Sequence, residues 1–183
     1  LLLLAVLAFA CSPGPKQEVT NQAPEKISPA PAAAPAYETF SSFDTQKIAY
    51  TDQGSGPAVL LLHGFINDGS AWNRAELKTQ LLSAGYRVVT PDLRGNGYSA
   101  KPQNDEAYAD NAEVKDLLAL ADHLKLETYT AIGYSRGAIV LAELLIHDDR
   151  ITSAVFGGMG LDFTNPNCPR RLLFAEAFRG SPN

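Results

Sequence analysis

The residues best suited to covalent chemistry lie in Gly133-Tyr134-Ser135-Arg136-Gly137, a G-x-S-x-G sequence between an apolar run and a segment of helical spacing. A serine hydroxyl is a weak nucleophile until a base takes its proton, and serines used this way sit on sharp strand-to-helix turns at the mouth of a sheet. The two glycines then have a steric task. The turn strains the serine backbone, and a Cβ on either flank would collide with neighbouring elements. The chemistry this points to is attack of Ser135 on a carbonyl carbon. Two further patterns stand out: His63-Gly64-Phe65, directly after the run AVLLL, and Pro91-Asp92-Leu93-Arg94-Gly95-Asn96-Gly97-Tyr98-Ser99, after the run YRVVT. The second contains a decoy, because Gly95–Ala100 also fits the dinucleotide pattern G-x-G-x-x-G/A. A pyrophosphate site needs a helix starting inside that pattern. Here Lys101-Pro102-Gln103-Asn104-Asp105 continues as loop, which argues against a nucleotide cofactor.

Elements to carry these residues can be read from periodicity. Residues 37–43 and 47–51 read as short strands around a turn at Asp44-Thr45-Gln46. Residues 58–62 are a continuous apolar run, the pattern of a strand buried on both faces, 86–90 read as a second buried strand, and 129–132 and 151–156 as a third and fourth. Helices are expected over 70–84, with Trp72, Leu77, Leu81 and Leu82 on one side and Gly85 as the stop, over 107–124, and over 136–146. Strand and helix alternate, which implies a parallel, helix-covered α/β sheet.

In the order and spacing of its three motifs, the stretch from about residue 37 to 160 resembles the α/β-hydrolase family. The resemblance implies an α/β-hydrolase fold, a mostly parallel sheet with helices on both faces. It implies that the backbone N–H groups of Phe65 and Arg136 form the oxyanion hole. The loop from Pro91 to Ser99 is structural in that family, so Asp92 receives no catalytic role; His or an aromatic is more usual where Asn96 stands. A serine at the elbow resembles the esterase, lipase, amidase and peptidase branches rather than the dehalogenase and epoxide-hydrolase branches, whose nucleophile is Asp. The family's chain order is Ser, then an acid, then His. Only His147 follows Ser135, about 18 Å along the same helix; His63 belongs to the oxyanion loop, and His123 is expected to be solvated at a helix end. The catalytic His is therefore expected to be absent from this chain. Asp162 stands where a minority of the family places the acid, whereas Asp148 and Asp149 read as surface charges. An amphipathic helix over 169–178 is expected to open the cap, which begins near residue 163, and Cys168 reads as a bystander. The sequence is thus expected to stop before the last strands and most of the cap.

The beginning of the chain reads differently. Residues 1–10 (LLLLAVLAFA) have the length of a signal-peptide apolar region whose basic leader is missing, and Ala10-Cys11 resembles the processing box of bacterial lipoproteins. Cys11 would then carry the lipid, with Ser12 resembling the pattern sent to an outer membrane. The Pro- and Ala-rich residues 11–36 would tether a domain spanning 37–183. The expected location is the cell envelope, anchored to the membrane and facing the periplasm or exterior. With 45% hydrophobic residues and a net charge of -5, the composition fits one core and argues against a nucleic-acid partner. Cysteine and histidine spacing offers no metal site, and no cofactor is expected. The expected partner is a small-molecule acyl substrate. Ser135 would act as nucleophile of a serine hydrolase on an ester, thioester or amide, through an acyl-enzyme. The alternatives are a non-catalytic ligand-binding protein of the same fold, or an acyltransferase or perhydrolase.

Overall fold

The computed structural model describes residues 36–159. In chain order, strands β1 (Glu38–Ser41), β2 (Lys47–Gln53) and β3 (Ala58–Leu62) precede helices α1 (Ala71–Arg74) and α2 (Glu76–Ser83). Strand β4 (Arg87–Pro91), helix α3 (Ala112–His123), strand β5 (Tyr129–Tyr134), helix α4 (Arg136–His147) and strand β6 (Ile151–Gly157) follow. The strands form one sheet in the order β1-β2-β4-β3-β5-β6. β1 and β2 join antiparallel at one side, while β4, β3, β5 and β6 run parallel.

The run AVLLL shows why the sheet is covered twice. Along a strand side chains alternate between faces. Leu60 and Leu62 accordingly join Val89, Tyr50 and the inward residues of α3 and α4, among them Leu117, Leu141 and Leu144. Val59 and Leu61 point the other way, where with Val88 they meet Trp72, Leu81 and Leu82. Each fully buried leucine or valine contributes about 1.5–3 kcal/mol. β3 lies inside the sheet, hydrogen-bonded on both edges by β4 and β5.

Three expectations need correction. The single helix over 70–84 is two helices, broken at Ala75, whose ψ of 126° is extended. In an unbroken helix residues five apart point about 140° apart around the axis. The break instead brings Asn73 beside Lys78, whose ammonium donates to Asn73 Oδ1 at 3.1 Å and to Thr51 Oγ1 at 3.2 Å. The helix over 107–124 begins only at Ala112. Before it lies a 3-10 turn over Asp105–Tyr108 capped by Asn104, followed by left-handed Asp110 and Asn111 (φ 51° and 56°). Asp and Asn are among the few residues that enter this region readily, and no helix runs through it. Asp148 is not a surface charge: it is buried, accepting the Tyr129 hydroxyl at 2.6 Å and Arg150 Nε at 2.7 Å. The buried tyrosine that opens β5 needs an acceptor, and Asp148 supplies it. Asp149 is exposed as expected.

Cys11 and the segments over 1–10 and 11–35, together with Asp162, Cys168, the helix over 169–178 and the cap, lie outside the described residues. Among the described residues no helix is long and apolar enough to cross a membrane.

Candidate active site

β5 delivers the chain to Ser135, and α4 begins one residue later. Ser135 has φ 52° and ψ -115°, a region that costs a side-chain-bearing residue about 1–3 kcal/mol and persists only where its surroundings enforce it. Those surroundings are visible. The Ser135 N–H donates to Gly157 O at 2.8 Å, at the end of β6, and Ser135 O accepts from Ala138 N at 3.0 Å in the first turn of α4. A Cβ on Gly133 would lie 2.5 Å from Gly137 O and 2.7 Å from Ala138 Cα, and one on Gly137 would lie 2.3 Å from Leu62 O. Both glycines of the motif are therefore required by backbone contacts, as the spacing predicted.

The His63-Gly64-Phe65 loop closes on the same point from β3. A Cβ on Gly64 would stand 3.4 Å from Ser135 Cβ, so the loop backbone passes directly beside the serine. His63 is fully buried and positions this loop. It accepts the Leu93 N–H on Nε2 at 2.9 Å, which leaves Nδ1 as the protonated nitrogen, donating to Gly64 O at 2.8 Å. Burial pushes its pKa below the ordinary range, partly opposed by that Gly64 contact. With both ring nitrogens engaged, His63 has none to offer Ser135. The Arg136 N–H belongs to the first turn of α4, where helical amides lack an intrahelical partner and point at whatever occupies the elbow.

The loop over 91–99 braces this arrangement. Asp92 is buried and accepts the N–H groups of Gly69 and Tyr98, each at 2.7 Å, which fits the structural role expected for it. Arg94 is buried between Asp44 and Asp116, the latter reached at 2.7 Å, and ties the β1–β2 turn to α3. Around the elbow, Phe65 and Tyr134 are 45% and 54% exposed. Trp72 instead packs against Val59, Leu61 and Val88 in the core.

The other two histidines stand apart. His147 ends α4, where it is exposed and meets Glu143 at 3.3 Å. His123 is exposed as expected, yet its ring stacks on Phe40 at 5.1 Å between centroids and meets the Tyr50 hydroxyl at 3.2 Å. No group of three or more His, Cys, Asp or Glu among the described residues is placed to hold a metal.

The sequence reading missed the side chain of Arg136. Its guanidinium pairs with Glu113 on α3 at 2.5 Å and donates to Asn96 Oδ1 at 2.9 Å. The available signal was an arginine inside an otherwise apolar elbow, opposite an acidic residue at the start of a helix.

A family profile described as alpha/beta hydrolase fold matches residues 57–171, and the chain belongs to this family. An epoxide hydrolase from Caballeronia sordidicola is 39% identical over 108 residues, covering 58% of this chain and 32% of that protein. Epoxide hydrolase 3 from Siraitia grosvenorii is 36% identical over 134 residues, covering 73% of this chain and 40% of that protein. Among solved structures, an epoxide hydrolase from Vigna radiata superposes with a TM-score of 0.66 at 31% identity, covering 77% of this chain and 46% of that one. An esterase from Exiguobacterium antarcticum superposes with a TM-score of 0.62 at 28% identity, covering 68% and 46%. The chain thus spans less than half the length of these relatives.

Proposed function

We propose that the protein is a serine hydrolase of carboxylic esters, thioesters or amides, with Ser135 as nucleophile. The observation that carries this is Ser135 itself: a strained serine at the strand-to-helix turn, its Cβ 3.4 Å from where a Gly64 Cβ would stand. Ser135 Oγ attacks the carbonyl carbon and its proton passes to a histidine. The oxyanion accepts hydrogen bonds from the N–H groups of Phe65 and Arg136, the leaving group departs, and water then cleaves the acyl-enzyme. His63 has both ring nitrogens engaged, and His123 and His147 meet Tyr50 and Glu143 instead of Ser135. Asp162 stands as a candidate acid.

Several relatives are named epoxide hydrolases, and the nucleophile chemistry separates that activity from this one. A carboxylate that opens an epoxide forms an ester, which water can cleave. A serine that did so would form an ether, which water does not cleave, and the enzyme would stop after one event. The test compares p-nitrophenyl butyrate and styrene oxide as substrates of the intact protein and its Ser135→Ala variant. The expected result is ester turnover that falls by about 10⁴-fold or more in Ser135→Ala, with no epoxide turnover. Sustained epoxide hydrolysis by the wild type, or an unimpaired Ser135→Ala, would refute the proposal.

A further inference from the structure

Arg136 occupies an unusual place, because its backbone and side chain serve two sides of one gap. Its N–H is one proposed oxyanion donor, and the other belongs to Phe65 on a separate loop. From Arg136 the guanidinium reaches back over that loop, with Cζ 5.8 Å from the centre of the Phe65 ring, inside cation–π range. The same group donates to Asn96 Oδ1 at 2.9 Å, Asn96 Nδ2 donates to Asn67 O at 2.9 Å, and the Asn67 N–H donates to Gly64 O at 3.3 Å. The chain of contacts therefore returns to the loop that carries Phe65. Glu113 holds the guanidinium from the opposite side at 2.5 Å, with both side chains about four-fifths sheltered (22% and 20% exposed). Asn96 suits this place because its amide accepts on one atom and donates on the other, bridging the guanidinium to a carbonyl.

Resting on the reading of Ser135 as nucleophile, we propose that the Arg136 side chain is a positioning residue that sets the spacing of the two oxyanion donors through Asn96 and Phe65. The rival is a purely structural strut between α3 and α4, and the two differ in what they move. Donor spacing matters only once the oxyanion forms, so its loss lowers kcat and leaves KM alone. A structural strut lowers the melting temperature and leaves kcat alone.

The experiment measures kcat, KM and thermal melting of the intact protein with p-nitrophenyl butyrate, for wild type, Arg136→Met, Asn96→Ala and the double variant. Complete removal of an oxyanion donor costs about 10²–10³-fold. For loosened spacing we expect kcat to fall 10- to 100-fold in Arg136→Met and at least about 3-fold in Asn96→Ala, with KM within about 2-fold in each. The double variant should match Arg136→Met within about 2-fold, because Asn96 acts through the guanidinium. Asn96→Ala keeps the Glu113 pair, so it carries the test alone should Arg136→Met fail to fold. A folded variant whose kcat stays within about 2-fold of wild type, or whose loss lies in KM alone, overturns the positioning role. If Ser135→Ala retains wild-type turnover, the nucleophile assignment falls and takes this proposal with it. Wild-type kcat in both strut variants beside an inactive Ser135→Ala overturns the positioning role alone.

Discussion

Replacing Gly137 by alanine adds one methyl group at the tightest crossing in the site. The new Cβ would meet Leu62 O at 2.3 Å, Leu62 C at 2.6 Å and His63 O at 2.7 Å, all backbone atoms. Ordinary contact needs about 3.4 Å or more, so the two backbones must part by roughly 1 Å. β3 is hydrogen-bonded on both edges and cannot retreat, which leaves the first turn of α4 to move. That movement carries the Arg136 N–H away from the Phe65 loop. Overpacking of this kind costs about 1–3 kcal/mol, and each kcal/mol lowers the melting temperature of a chain this size by about 2–4 °C. A misplacement of about 1 Å in a catalytic site costs about 10²-fold in rate. We therefore predict that Gly137→Ala melts about 2–12 °C lower and is labelled by a fluorophosphonate about 10²-fold more slowly. Gly85→Ala is the control. No atom lies within 4 Å of its added Cβ, and its φ of +86° predicts a loss of stability with normal labelling. A Gly137→Ala protein that labels at the wild-type rate would refute the argument that β3 fixes the elbow.

Two further predictions concern stability. Arg94→Met should cost about 3–5 kcal/mol in urea unfolding, because it strands the buried carboxylate of Asp116; a loss below about 1 kcal/mol would show that Asp116 finds another partner. His63 and Asp44 both titrate below their ordinary values of 6.5 and 3.8, His63 through burial and Asp44 chiefly through its hydrogen bond from Arg94. A lowered folded-state pKa gives stability that is complete above the unfolded value and is lost as pH falls. The His63 contribution therefore declines below pH 6.5 and the Asp44 contribution below pH 3.8. Imidazole nitrogen shifts should show His63 as the neutral Nδ1–H tautomer at about pH 6, and a charged His63 there would contradict the hydrogen bond from Leu93.

The core elements were legible because burial on both faces leaves an unmistakable run of apolar residues. AVLLL forms β3 over the residues expected, and β5, α4 and β6 begin at the expected residues 129, 136 and 151, although β6 is only partly buried. The elbow was legible too, since only glycine tolerates the contacts at positions 133 and 137. What escaped was set by individual side-chain partners. Lys78 bonds Asn73 across the break at Ala75 and also reaches Thr51, and buried Asp148 is held by the Tyr129 hydroxyl and by Arg150. The link from Arg136 to Glu113 and Asn96 joins residues 23 and 40 positions away, a distance at which no periodicity operates.

The central claim is that Ser135 carries the acyl group. Mixing the intact protein with p-nitrophenyl butyrate, quenching in acid within the turnover time and mapping the adduct by peptide mass spectrometry tests it directly. A butyryl group on Ser135 is expected, and no trapped adduct in Ser135→Ala. A butyryl group on another side chain that is lost as product forms would contradict it.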